Sequence, residues 1–190
     1  MRKLTLTLCL TLTILLGSVG MSASDVIIED NAIASYRRGV AAYDKGDYAT
    51  ALREWKPLAQ QGDANSQNNL GVLFLKGQGV PKNYEIAVVF FRLSAEQGNA
   101  LAQTYLGGMY GLGQGVKQNW VTAYIWASIS AYNGNEKGAK LRDICAKQMT
   151  PDDISTAQEL ARECVWKNYI GCRFEKSLNA LDTIENIRIH

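Results

Sequence analysis

Few residues of this chain have the types and spacing that chemistry needs. Its one histidine is His190, the last residue. A Ser-His-Asp or Cys-His relay would have to be built on that end position, which argues against nucleophilic catalysis. Zinc needs several His and Cys ligands in close groups, and the sequence has none, so no metal and no cofactor is expected. Asp152 and Asp153 look like a carboxylate pair, but neighbours on a helix do not face each other. The stretch GLGQGV, Gly111 to Val116, suggests a phosphate loop until its context is read. No Lys-Ser/Thr follows it and no strand pattern precedes it.

Cysteine carries what chemistry remains. Cys9 lies in an apolar run near the start, without small residues just before it, and is not read as a lipid-bearing cysteine. Cys145, Cys164 and Cys172 follow. Cys164 and Cys172 cannot pair inside one straight helix, because eight residues rise ~12 Å and a bridge needs Cα atoms ~5.5 Å apart. A turn within NYIGC, Asn168 to Cys172, would bring them together, so a Cys164–Cys172 disulfide is favoured; pairing of Cys145 with either partner stays open. Cys145 otherwise reads as a packed thiol on an apolar helix face.

A disulfide presupposes an oxidising compartment. Residues 1–24 have the plan of a secretory signal peptide: Arg2 and Lys3, an apolar run from Leu4 to Leu16, then small residues from Gly17 to Ser24. The run is short of the ~20 residues that span a bilayer. The expectation is therefore an exported chain, periplasmic ahead of secreted, with no membrane association beyond export. Of 20 basic residues, removal of Arg2 and Lys3 leaves 18 against 18 acidic ones. A neutral chain without a basic stripe is not expected to bind nucleic acid.

The elements that position these residues are repeated. Residues 64–99 laid over 100–135 without a gap agree at fourteen positions, among them Leu70-Gly71 with Leu106-Gly107 and GQGV at 77–80 with GQGV at 113–116. Such self-similarity at a fixed period marks a solenoid. An earlier unit, 35–63, keeps Asp47, Tyr48, Ala51, Trp55, Ala59 and Gly62 but has the shorter loop DKGD, Asp44 to Asp47. Each unit reads as two helices, with Tyr84, Ala87, Phe91 and Ala95 on one face. Gly71 and Gly107 fall inside helices and are expected where a neighbouring aromatic crosses the backbone. Gly77 and Gly79 end the first helix, Asn83 and Asn119 cap the second, and Gly98 and Gly134 close it. Trp55, Tyr84, Phe90, Phe91, Trp120, Tyr124 and Trp126 recur at helical spacing and are read as core.

This pattern resembles the Sel1-like repeat family, a branch of the tetratricopeptide-like solenoids. The resemblance rests on Ala64, Leu70-Gly71, Phe74, Gly77-x-Gly79-Val80, Asn83, Ala87, Phe91, Ala95 and Gly98, and on Ala100, Leu106-Gly107, Tyr110, Gly113-x-Gly115-Val116, Asn119, Ala123, Ala131 and Gly134. Ala127 stands where the family keeps an aromatic, with Trp126 beside it. The resemblance implies an all-α fold: a right-handed α-solenoid of helix-turn-helix repeats. Residues 25–34 would lead into the first helix, 35–63, 64–99 and 100–135 would form three repeats, 136–172 would form C-terminal capping helices, and 173–190 would form a tail. Within the cap, Thr150, Pro151 and Asp153 make a helix start.

In the related tetratricopeptide fold the first helix of each unit lines a concave groove. Transferred here, that groove is Tyr36, Val40 and Tyr43, then Asn65, Asn68, Val72 and Lys76, then Leu101 and Thr104, then Lys137 and Lys140. The resemblance implies a non-catalytic scaffold, adaptor or regulator of the bacterial cell envelope, holding a segment of another protein in the groove. Asparagines there would bond a peptide backbone in either direction, and lysines would hold acidic groups. A second reading is enzymatic, since some cysteine-rich members of the family are associated with binding or hydrolysing β-lactams. Those carry a cysteine pair in every repeat, and residues 35–135 contain no cysteine. A third reading is a homodimer formed by stacking of exposed end faces.

Overall fold

The computed structural model describes residues 23–169 and Cys172, with side chains from residue 31 onward. Among the described residues there are eight helices and no strand: α1 Ala23–Asp44, α2 Tyr48–Gln60, α3 Ala64–Lys76, α4 Tyr84–Ala95, α5 Ala100–Leu112, α6 Trp120–Tyr132, α7 Glu136–Ala146 and α8 Pro151–Trp166. From α1 to α7 each helix packs on the one before it and the one after it, the arrangement of a solenoid. At the C-terminal end α7 also reaches α5, and α8 lies on α6. The signal-peptide reading of 1–24 and the tail 173–190 fall almost wholly outside the described residues. Helix α1 already begins at Ala23, so 25–34 forms the start of the first helix.

Helix starts follow from short polar side chains. Asn83, Asn119 and Thr150 cap α4, α6 and α8 as expected, Thr150 with Asp153 in a reciprocal capping box. Asp47, Asp63, Asn99 and Asn135 cap α2, α3, α5 and α7 in the same way.

The repeated glycines do two different jobs. Gly77 and Gly113 end α3 and α5 in the left-handed conformation, at φ 70° and 67°. Gly79 and Gly115, also left-handed, press on the first turn of the preceding unit's second helix. A Cβ on Gly79 would lie 2.9 Å from the carbonyl carbon of Tyr48, and one on Gly115 2.7 Å from the amide nitrogen of Glu85. The doublet therefore ends one helix and docks the loop on its neighbour.

Helix-interior glycines bring the paired helices together. A Cβ on Gly71 would meet the Phe91 ring at 2.7 Å, and one on Gly39 would meet Trp55 Cδ1 at the same distance. At Gly107 the expectation of an aromatic is corrected. Its neighbours are the Ala123 carbonyl oxygen at 3.1 Å and Leu141 Cδ2 at 3.2 Å. With alanine at 127, α6 approaches closely and Leu141 of α7 fills the remaining space.

Other repeated polar residues are bonds within the stack. Ser94 Oγ and Ser130 Oγ donate to the carbonyls of Ala64 and Ala100, both at 2.6 Å. Gln67 and Gln103 donate back to Ala59 and Ala95, both at 3.1 Å. Each glutamine also accepts, from Gln97 and Asn133 respectively. A buried polar group must be paired to be tolerated, so these identities recur for structural reasons. The core they frame includes Trp55, Phe90, Phe91, Tyr124 and Trp126, all buried, while Tyr84 and Trp120 are half-buried at its edge.

Candidate functional site

The first helices of the units leave an open cleft of about 340 Å³ on one side of the stack. It is lined by Tyr36, Val40 and Tyr43 from α1, Asn68, Asn69, Val72 and Lys76 from α3, and Leu101 and Tyr105 from α5, with Trp55 of α2 contributing to the wall. Positions 36, 40 and 43 fall on one face of α1, and 68, 72 and 76 on one face of α3, because residues three and four apart share a helix face.

Four groove residues of the sequence reading are placed elsewhere. Asn65 is exposed and accepts from Asn99 Nδ2 at 3.1 Å, outside the cleft lining. Thr104 turns toward α6, bonded to Ser130 Oγ at 2.7 Å and to the Ala100 carbonyl. Lys137 and Lys140 are exposed on α7 and do not line the cleft. Three lining residues were missed. Asn69 immediately precedes the Leu70-Gly71 contact and Trp55 reads as core, so neither carries a groove signal of its own. Tyr105 sits one place beyond Thr104 and would have been found by starting the α5 face from Leu101 and counting four.

The cleft has a wired polar floor. Asn68 Nδ2 donates to Asn69 Oδ1 at 3.3 Å, and Asn69 Nδ2 donates to Tyr36 Oη at 3.4 Å. Asn68 is 6% exposed, and its buried Oδ1 has no hydrogen-bond partner. A buried acceptor left unpaired costs ~1–3 kcal/mol. At the far end Lys76 Nζ donates to Tyr43 Oη at 3.0 Å and lies 5.8 Å from the Tyr43 ring centre. Tyr43 in turn donates to Gln78 Oε1 at 3.1 Å. The bond to Tyr43 holds the Lys76 ammonium above its ordinary pKa, so it is a firm cation at neutral pH. Among the described residues no carboxylate pairs with it.

A second cavity, of about 400 Å³, lies where α6, α7 and α8 meet, with Tyr124, Tyr132 and Trp166 among its walls. Of its two arginines, Arg142 and Arg162, Arg142 is already engaged by Asp143 at 2.8 Å. Cys164 and Cys172 form a disulfide with Cα atoms 5.4 Å apart. Asn168 and Tyr169 turn the chain back beyond α8 through φ of 50° and 66°, and Tyr169 donates to Asn133 Oδ1 at 2.9 Å. Cys145 is free and fully buried, and burial pushes its thiol up to about 11. Among the described residues no group of three or more His, Cys, Asp or Glu could hold a metal ion, and no helix is long and apolar enough to cross a membrane.

Comparison with known proteins agrees with this geometry. The family model for the Sel1 repeat matches residues 64–99 and 100–135. Among solved structures, the chain is similar to c5321, a protective antigen of uropathogenic Escherichia coli strains displaying an SLR fold. The TM-score is 0.70 at 25% identity, over 88% of this chain and 35% of that one. It is also similar to a Sel1 repeat protein from Oxalobacter formigenes, with a TM-score of 0.53 at 35% identity, over 55% of this chain and 43% of that one. The chain thus spans less than half the length of either protein. No curated protein matches it. Sel1 repeats generally serve as protein–protein interaction scaffolds. Residues 64–99 and 100–135 are thus two Sel1 repeats in register, with further helices packed on both sides of them.

Proposed function

We propose that this protein is a non-catalytic adaptor of the bacterial cell envelope that holds a segment of a partner protein in the cleft between α1, α3 and α5. The observation that carries the reading is Asn68, a nearly buried amide in the cleft floor whose oxygen has no partner. The repeated glutamines Gln67 and Gln103 are paired on both sides within the stack, whereas Asn68 donates to Asn69 and its oxygen takes no bond. In this reading residues 1–24 are removed on export and the protein works in the periplasm ahead of the medium. The Cys164–Cys172 disulfide and the lack of a membrane-crossing helix among the described residues are compatible with export. The cap of α7 and α8 covers the last apolar face of the third unit.

The test is site-specific photocrosslinking in cells. A crosslinker at Leu101, which lines the cleft and is 50% exposed, is compared with one at exposed Arg53 on α2. The expected result is one dominant adduct from Leu101 alone, mapping to one segment that binds the purified protein as a synthetic peptide. Equal capture from both positions, or a mapped segment that fails to bind, refutes the reading.

A further inference from the structure

We infer that the segment taken by this cleft is an extended peptide carrying a large apolar side chain and an acidic side chain two residues apart; the inference rests on the reading of the cleft as a partner site. Asn68, Val72 and Lys76 follow one another at intervals of four on a single face of α3. Four residues of helix rise ~6 Å. Two residues of extended chain advance ~6.6 Å, and those two side chains point the same way. A strand laid along α3 thus presents a group to each of the three side chains in turn, with near-matching pitch. Over the two steps from Asn68 to Lys76 the mismatch adds up to only ~1.2 Å.

Each rung defines a chemistry. Val72, with Leu101 across the cleft, offers apolar surface to an apolar side chain. Lys76 is the one charged residue lining the cleft, and no carboxylate within the described residues neutralises it. An acidic side chain meeting it completes a charge-assisted bond in a setting walled by Tyr43. At Asn68 the partner is the peptide backbone. As assigned, the Asn68–Asn69–Tyr36 chain leaves an acceptor unfilled. Turning both amides over lets Asn69 donate to Asn68 and accept from the Tyr36 hydroxyl, which leaves a donor unfilled instead. The relay can therefore answer either a backbone N–H or a C=O, and the strand can run in either direction along α3.

The probes are fluorescein-labelled ten-residue peptide pools, acetylated and amidated so that no chain-end charge contributes. Each fixes one Phe and one Glu at a separation of one, two or three and randomises the rest, and binding to the full chain is read by polarisation. The expected result is that separation two binds about tenfold tighter than one or three, and that Glu→Gln in the probe costs a similar factor. Lys76→Glu should move the preference from Glu to Lys at that position, while Lys76→Gln abolishes the preference. Leu101→Arg, checked for unchanged helicity and thermal midpoint, should abolish binding of every pool. If all pools bind alike yet lose binding in Leu101→Arg, the cleft is a peptide site without this motif: the inference is overturned and the adaptor reading stands. If no pool binds, or Leu101→Arg binds as well as the parent, the cleft reading fails and takes the inference with it.

Discussion

Replacing helix-interior glycines with alanine should change sign from one position to the next, and the structure says where. Alanine in a helix interior is favoured over glycine by ~1 kcal/mol, so an unhindered replacement stabilises. At Gly71 the new Cβ would lie 2.7 Å from both Cδ1 and Cε1 of Phe91, against an ordinary contact of 3.4 Å or more. That ring is fully buried and stacked on Tyr105 at 4.7 Å, so it has nowhere to move. Overpacking of this kind costs about 1–3 kcal/mol, and the full overlap of two ring carbons puts Gly71→Ala in the upper part of that range. Less the helix gain, the net loss is ~1–2 kcal/mol. Gly39→Ala, pressed on the indole of Trp55, should be at least as damaging. Gly107→Ala meets atoms only at 3.1–3.4 Å and should be near neutral. Gly108→Ala meets nothing within 4 Å and should stabilise by up to ~1 kcal/mol. Urea unfolding followed by circular dichroism measures the four variants, with a thermal shift of ~2–4 °C per kcal/mol as a second readout. Phe91→Leu in the Gly71→Ala background should recover part of that loss. A Gly71→Ala no less stable than Gly107→Ala, or a destabilised Gly108→Ala, would refute the close-approach account of the repeat.

Further outcomes follow from the buried polar groups. Gln103→Leu leaves the Asn133 amide without the acceptor it now has and removes one of the two bonds to the Ala95 carbonyl, which keeps Gly98 N–H; it should cost ~1–3 kcal/mol in the same urea assay. Glu54 is held below the usual carboxyl range by its bonds to Arg38 and Ser35. Its folded pKa is lowered, so its stabilisation is complete above 4.5 and is lost as pH falls through the lower folded value. Glu54→Gln should therefore flatten the acid limb of a thermal-midpoint profile. Cys145 titrates near 11 in place of 9.0, so the folded state binds the extra proton and stability falls as pH rises between those values. Cys145→Ala should flatten that alkaline limb. In the parent protein a thiol reagent at neutral pH should modify Cys145 only as fast as the chain opens, whereas modification at the rate of an exposed thiol would contradict its burial.

Much of the architecture is legible because solenoid information is local. The period of 36, the glycine doublets and the capping asparagines act within one unit or between adjacent ones, and a linear pattern carries them. The disulfide was legible too, since only a turn between Cys164 and Cys172 could bring them within bonding range. The cleft lining was legible on α1 and, on α3, at Asn68, Val72 and Lys76, but Asn65 lies outside it and Asn69 was missed. On α5 the face slips by one residue, and Thr104, polar like Asn68, spends its hydroxyl on Ser130 within the stack.

What the sequence determined by itself is therefore the unit: which residues make each helix, where it starts and stops, and how often the unit recurs. Only the tertiary structure decided what the repeated polar residues are for. Gln67, Gln103, Ser94 and Ser130 recur between units and are bonded within the stack, while Asn68, with Asn69 beside it, is left with an unfilled acceptor. The reason is physical. A side chain's type and spacing set which bonds it can make, but whether a partner already occupies it depends on residues some thirty positions away, brought close only when the units stack.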